Sequence, residues 1–364
     1  IETSCDETSL AKIKAEWPAY FKNPKTLTLP IFKIIKNLIL SQIKIHSHFG
    51  GVVPNLAKRE HQKNLPILFK KLSGENIDSN SQKIKKFLKD IDLITITVGP
   101  GLEPALWSGI EFTKKIIKKY KELNIKSPKI IGANHLLGHL YSFMLDSKIT
   151  SKKIKNQTQI FPSIALIVSG GHTILINFKS LFEYKKLGET RDDACGEAFD
   201  KVARMLDLKY PGGPQIEKLA KAGNPKEIIF PRPMIYDKSY DFSFSGLKTS
   251  VFYYLRDSKK VKDEKFKADV AASFQEAAFD VLIYKSTRAI KEFKAKSVMI
   301  SGGVAANKTL RKKFYKLSKL QKILFFVPPF IYNTDNAVII GISAYFNFLN
   351  KKFKKLKAIG DLNI

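Results

Sequence analysis

The stretch "SIALIVSGGHTILINF", residues 163–178, governs how the rest of the chain reads. Two runs rich in Ile, Leu and Val flank a Ser-Gly-Gly-His turn, which predicts two strands joined by a hairpin. The same punctuation recurs outward from it. "KSVMISGGVAANKTLRKKF" (296–314) reads as strand, glycine turn, helix. "DLITITVGPG" (92–101) is a short buried strand closing on Gly99 and Gly101, with a helix expected from Pro104 to Tyr120. "PKIIGAN" (128–134) is another strand, and Asn134 is the expected cap of the helix that starts at His135. "KILFFVPPFIYNTDNAVIIGISAYFNFL" (322–349) adds a strand, a Pro-Pro loop and a closing helix with Thr334 as its cap. Strands that alternate with helices predict an α/β chain.

Two segments break this rhythm. Residues 12–30, with three prolines, read as an insertion or irregular excursion; residues 147–159, polar and basic without apolar period, read as a linker. The expected organisation is a first lobe over 1–146 completed by the C-terminal helix of about 335–364, the 147–159 linker, and a second lobe over 160–334. That second lobe carries an acidic, glycine-rich insert over about 180–260. "VSGGH" at 168 and "ISGGV" at 300 are similar turns, too short to establish an internal duplication.

The 364 residues suit two domains. No apolar run reaches the length of a membrane span: "LTLPIFKIIKNLILSQIKI" is interrupted by Lys33, Lys36 and Lys44. "IETSCDETS" reads as a strand entering a turn rather than a leader, and further residues are expected to precede Ile1. Two cysteines, Cys5 and Cys195, build no disulfide framework, so a reducing, cytoplasmic setting is expected. The 63 basic side chains against 33 acidic ones leave a net charge of +30, which would attract a polyanion such as RNA. A lysine-rich coding bias and solvated helix faces explain the same surplus equally well.

Several constellations carry chemistry. The turns "SCDETS", "GPG", "SGGH" and "SGGVAAN" leave backbone N–H groups open to a phosphate, although Gly170-Gly171, taken alone, reads first as a plain hairpin turn. Neither the P-loop nor the dinucleotide fingerprint is present. In "GETRDDACGEAFDKVARMLDLKYPGGPQIEKLA" the acids Asp192, Asp193, Glu197 and Asp200 either serve ribose hydroxyls or a cation, or cap and balance an amphipathic helix with Lys201 and Arg204. In "NHLLGH", His135 and His139 sit at i and i+4, a spacing that can hold one divalent ion. A zinc peptidase would place a glutamate beside the first histidine, where this chain has Leu136. A third ligand must come from elsewhere. Asp335 in "NTDNA" has the right chemistry, but spacing cannot pair it with His139, and an incidental histidine pair stays open.

Taken together, "IETSCDETS", "SQIKIHSHFGGVVPNLAKREHQKNL", "VGPGLEPALWSGI", "NHLLGHLYS", "VSGGHT", "GETRDDACGEAFDKVARMLDLKYPGGP", "DFSFSGLKTS", "ISGGVAANKTLR" and "TDNA" resemble the TsaD family. This family was formerly called Gcp/YgjD or O-sialoglycoprotein endopeptidase, and the "VSGGHT" form resembles its bacterial or organellar branch. The resemblance runs from residue 1 to about 337. It implies an α/β fold of the actin-like, sugar-kinase-like and Hsp70-like (ASKHA) kind, two ribonuclease-H-like lobes with a nucleotide and metal cleft between them. It implies transfer of threonylcarbamoyl from threonylcarbamoyl-AMP to N6 of adenosine 37 in tRNAs reading codons that begin with A, giving t6A and AMP. By the same resemblance His135, His139 and Asp335 hold iron(II) or zinc. Val168, Ser169, Gly170, Gly171, His172, Asp200, Gly213, Glu217 and Asn307 bind the adenylate. The implied partners are tRNA, TsaB- and TsaE-like proteins and a TsaC-like synthase that supplies the adenylate, with a homodimer also open and no membrane.

The segment with Lys58, Arg59, His61 and Lys63 is the expected tRNA contact, or else an ordinary exposed helix. Cys195 reads as a tolerated small residue rather than a nucleophile. The competing activities are a metallopeptidase, an ATPase or sugar kinase of the same superfold, and a non-enzymatic RNA-binding module.

Overall fold

The glycine turns stop the apolar runs where the spacing predicts, and the computed structural model, which describes residues 1–16, 29–154, 156–258, 263–352 and 354–364, is a mixed α/β protein. The chain divides into two units, Ile1–Lys155 with Thr334–Ile364, and Asn156–Asn333. The division falls inside the polar stretch 147–159.

In the first unit β1 (Glu7–Glu16) pairs antiparallel with β2 (Ile31–Ser41), and β3 (Leu93–Gly99) pairs parallel with β4 (Lys129–Asn134). Ile1 and Glu2 join the two pairs. Glu2 bridges antiparallel to Ser9, while the Ile1 backbone nitrogen donates to the Thr95 carbonyl (2.8 Å) and Thr97 N–H donates to the Ile1 carbonyl (3.1 Å). Helices α1 (Ile43–His46), α2 (Pro54–Ser73), α3 (Gln82–Lys89), α4 (Glu103–Glu122), α5 (His135–Tyr141) and α6 (Ser147–Thr150) follow. A core of Leu65, Leu68, Phe69, Ile84, Phe112 and Tyr120 lies within this unit, and the Tyr120 hydroxyl donates to the Leu88 carbonyl (2.7 Å).

The second unit is built on one sheet ordered β7-β6-β5-β8-β9: β5 (Ser163–Val168), β6 (Thr173–Ser180), β7 (Glu183–Glu189), β8 (Ser297–Ser301) and β9 (Leu324–Phe326). Strands β5, β6 and β7 form an antiparallel meander, and β5, β8 and β9 run parallel. Its helices are α7 (Cys195–Met205), α8 (Gly212–Ala220), α9 (Ser245–Asp257), α10 (Glu264–Glu292) and α11 (Lys308–Leu320). Phe199, Phe274 and Phe279 centre the core, with Phe199 edge-on to Phe274 at 4.9 Å and stacked on Phe279 at 5.6 Å.

The last helix, α12 (Ala337–Leu349), returns to the first unit. Its sequence "AVIIGISAYFNFL" is apolar on every side, as a helix surrounded by protein must be, and each buried Ile, Val or Phe there contributes roughly 1.5–3 kcal/mol. No helix among the described residues is long and apolar enough to cross a membrane.

Two local expectations are corrected. Residues 12–16 are not irregular but continue β1, because "AKIKAE" alternates in strand period; residues 17–28 of that stretch lie outside the described residues. The cap of α12 is Asn336, not Thr334: its side chain accepts from Val338 and Ile339 N–H, at 3.1 and 3.2 Å. The similar turns at 168 and 300, too short to establish a duplication, both lie in the second unit. They end neighbouring parallel strands of one sheet.

Candidate metal centre and glycine-turn cradle

Asn134 ends β4 and starts α5 by accepting the N–H groups of Leu136 (2.8 Å) and Leu137 (3.2 Å), which fixes His135 in the first helical turn. His139 follows one turn later on the same face, its ring 4.8 Å from that of His135 and perpendicular to it. The glycine between them has a packing reason. A Cβ on Gly138 would lie 3.0 Å from Ile340 Cδ1, so its absence lets α12 approach α5 closely. Since Asn336 is the cap, Asp335 stands just before α12, and Ser9 secures that end by accepting Ala337 N–H (3.0 Å).

Asp335 Oδ1 therefore lies 3.4 Å from His135 Nε2 and 3.2 Å from His139 Nε2. The three donors fall within 4.8 Å of one another. His135 is 6 % exposed and His139 1 %; among the described residues His139 Nδ1 has no hydrogen-bond partner, and its Nε2 meets only the Asp335 carboxylate. A buried ring nitrogen left unsatisfied is costly in a folded protein unless another group meets it. A set of two imidazoles and one carboxylate suits zinc or iron and leaves a coordination position open. The residues present fit a divalent ion.

The sequence reading missed what stands behind this trio. Glu2 is fully buried; its Oε2 lies 3.2 Å from His135 Nδ1 and accepts the Thr97 hydroxyl (2.6 Å), while its Oε1 accepts Ser4 N–H. Ser4 Oγ is also 3.2 Å from His135 Nδ1. A carboxylate at Nδ1 favours a proton there, which leaves Nε2, on the side of Asp335, as the nitrogen that an ion would take. Burial opposes charge on His135, but Asp335 and Glu2 outweigh it and raise its pKa well above the usual value. For His139 burial dominates and lowers the pKa. Burial also opposes the Asp335 anion, yet both histidines hold its carboxyl far below the usual range. The only hint in "IETS" was a glutamate within a strand, which looks the same when it faces solvent.

In the second unit, parallel pairing of β5 with β8 sets both strand ends at one edge, where α/β sheets place ligands. Val168 ends β5 and is buried; Ser169 Oγ accepts His172 N–H (3.1 Å) across the turn. Gly302 takes φ +93°, and a Cβ on it would lie 2.4 Å from the Val168 carbonyl, so the two turns touch. Gly196 N–H donates to the Ser169 carbonyl (3.1 Å), bringing the start of α7 to the same place. Around Gly170, Gly171 and Gly213 a Cβ would meet nothing within 4 Å, and none of the three needs a positive φ. Glycine there is required neither by backbone nor by packing, which leaves room for a ligand as its structural use.

Asp200, Glu217 and Asn307 lie in the same unit and link its helices. Asp200 Oδ1 accepts Gly212 N–H (2.7 Å), Glu217 Oε1 accepts Lys308 N–H (2.8 Å), and Asn307 caps α11 by accepting Leu310 N–H (3.0 Å) while donating to Gln275 Oε1 (2.7 Å). The other acids are structural. Asp192 accepts Phe244 and Ser245 N–H, Asp193 pairs with Lys201 and Lys248, and Glu197 pairs with Lys201.

Two further expectations resolve. His61 is no RNA contact: it is fully buried, its Nδ1 2.8 Å from Thr8 Oγ1 and its Nε2 2.9 Å from the Cys5 carbonyl, whereas Arg59 and Lys63 on the same helix are exposed. Burial pushes the Cys195 thiol far up, and burial with Asp6 does the same to Cys5, so neither offers a ready thiolate.

Residues 33–342 match the family model of TsaD, tRNA N6-adenosine threonylcarbamoyltransferase. Curated relatives of that name include those of Thermosipho melanesiensis (43 % identical, covering all of this chain and 98 % of the relative) and Clostridioides difficile (42 %, all of this chain and 97 % of the relative). The relative from Moorella thermoacetica is 40 % identical over all of this chain and 95 % of its own. Among solved structures, HypF of T. kodakarensis superposes with a TM-score of 0.52 at 14 % identity, over 77 % of this chain and 46 % of HypF, a likeness of fold alone. The chain belongs to the TsaD family of tRNA N6-adenosine threonylcarbamoyltransferases.

Proposed function

We propose that this chain transfers threonylcarbamoyl from threonylcarbamoyl-AMP to N6 of adenosine 37 in tRNAs reading codons that begin with A. A C–N bond forms at the carbamoyl carbon, the C–O bond to the phosphate breaks, AMP leaves, and one N6 proton is released. The observation that supports this most is the meeting of His135, His139 and Asp335 at one buried point in a member of this family.

The glycine turns at 169–171 and 302–303 offer backbone N–H groups to the adenylate phosphate. Asp200 and Glu217 would accept hydrogen bonds from the ribose hydroxyls. His135, His139 and Asp335 would hold iron(II) or zinc. When bound, such an ion polarises the carbamoyl carbonyl and stabilises the departing phosphate. Glu2 keeps the Nδ1 proton on His135, and Asp335 supplies the negative charge. A metallopeptidase is disfavoured because Leu136 stands where its general base belongs and Glu2 is engaged with His135, Thr97 and Ser4. The reading includes TsaB- and TsaE-like partners, a TsaC-like synthase and a cytoplasmic setting where tRNA is available, with a homodimer as the alternative assembly.

The test supplies threonine, bicarbonate, ATP, tRNA and the partner proteins and measures t6A by mass spectrometry, with omission of this chain removing the product. Asp335→Ala is expected to lose metal content and t6A together. Full t6A formation by a metal-free variant overturns the mechanism, and rapid ATP turnover without tRNA favours the ATPase reading.

A further inference from the structure

A groove of about 810 Å³ lies on the second unit, between the Arg232–Tyr236 segment and one face of α10. Asp280, Tyr284, Arg288 and Lys291 recur along that face at helical spacing. It shares no residue with the glycine-turn cradle.

Its lining combines two features. Tyr236, 79 % exposed, and Tyr284, 41 % exposed, stand edge to face at 5.3 Å and leave ring surface to solvent. Arg288 is held in place: it lies over Tyr240 (4.1 Å) and donates to the carbonyls of Asp237, Lys238 and Ser239, neutral partners, and makes no ion pair among the described residues. Arg232 is spent on Asp280 (2.9 Å), while Lys291 makes no ion pair among the described residues. Three cations therefore face one carboxylate. Exposed rings beside fixed positive charge are what unpaired nucleotides recognise, with bases on the rings and phosphates on the cations.

We propose that this groove docks unpaired nucleotides of the tRNA substrate, away from the reacting adenosine. The proposal rests on the reading that tRNA is the substrate. Charge complementarity selects RNA as occupant, in a chain whose net charge is +30.

The test measures binding of transcribed tRNA by fluorescence anisotropy, with the full chain and its partner proteins, across a salt series. The double variant Tyr236→Ala/Tyr284→Ala is expected to bind about tenfold more weakly or worse, and Tyr236→Phe/Tyr284→Phe to retain affinity because stacking survives. Lys291→Gln is expected to lower the salt slope by about one. Circular dichroism reports folding; where the alanine pair is unfolded, Lys291→Gln and 4-thiouridine crosslinking of wild-type protein to this groove decide. A folded alanine pair with wild-type tRNA affinity overturns the proposal, as does loss of a protein partner with tRNA binding intact. If the wild type makes t6A while the variants bind normally, only the groove proposal fails. If no t6A forms yet the variants weaken tRNA binding, only the functional reading fails.

Discussion

Replacing Glu2 by glutamine keeps the volume and one oxygen beside His135 but removes a buried negative charge. Glu2 Oε2 lies 3.2 Å from His135 Nδ1. At that distance, with an effective dielectric of about 20, the attraction to a full imidazolium charge is about 5 kcal/mol before desolvation is counted. An imidazole bound through Nε2 carries only part of that charge, and glutamine can still accept the Nδ1–H. The expected loss therefore falls in the range of outer-shell substitutions, about 10–100-fold in metal affinity, or about 1.4–2.7 kcal/mol. Competition with a chelator of known affinity, using zinc and, without oxygen, iron(II), measures it directly. Nitrogen NMR of the His135 ring reports the second consequence, loss of the preference for a proton on Nδ1. A Glu2→Gln protein that binds either ion within twofold of wild type and keeps the tautomer refutes the assignment of Glu2 as a positioning residue.

Metal binding should release a proton. In the ion-free site burial disfavours charge on His135, but Asp335 and Glu2 raise its pKa well above 6.5, so the proton is bound at neutral pH and the ion must displace it. Affinity is expected to fall about tenfold for each pH unit of acidification below that pKa, and calorimetry in buffers of different ionisation enthalpy should count close to one proton; zero release refutes the coupling. Gly213→Ala meets open space, so its melting temperature should equal or slightly exceed wild type while AMP binds more weakly; unchanged AMP affinity removes Gly213 from the cradle. Lys285 is fully buried, donating to the Ser239 carbonyl, and burial lowers its pKa to about 8. Since the unfolded chain holds that proton up to about 10.5, stability should rise between pH 8 and 10.5 by about 1.4 kcal/mol per unit from this residue. Lys285→Met should remove that component of a denaturant-unfolding pH series, and an unchanged slope counts against it.

The strands, glycine turns and helices were legible because they rest on local periodicity and on residues whose backbone preferences act within a few positions. The hairpin at residues 163–178 and the Asn134 cap are of this kind. The histidine spacing was legible for the same reason, since i and i+4 share a helix face in any surroundings. Whether the pair is a site was not, because that depends on what faces it. Gly138 admits α12, the Asn336 cap leaves Asp335 outside the helix, and Glu2 arrives from the beginning of the chain. His61 shows the converse: on a basic helix it reads as a surface residue, and only packing against Thr8 and Cys5 makes it core. By itself the sequence determined the elements and the donor types, since these follow from short-range geometry and side-chain chemistry. The tertiary structure decided which donors meet, which acids are consumed by caps and ion pairs, and where space remains for a ligand. Those outcomes depend on burial and on contacts between residues far apart in the chain, which no local pattern encodes.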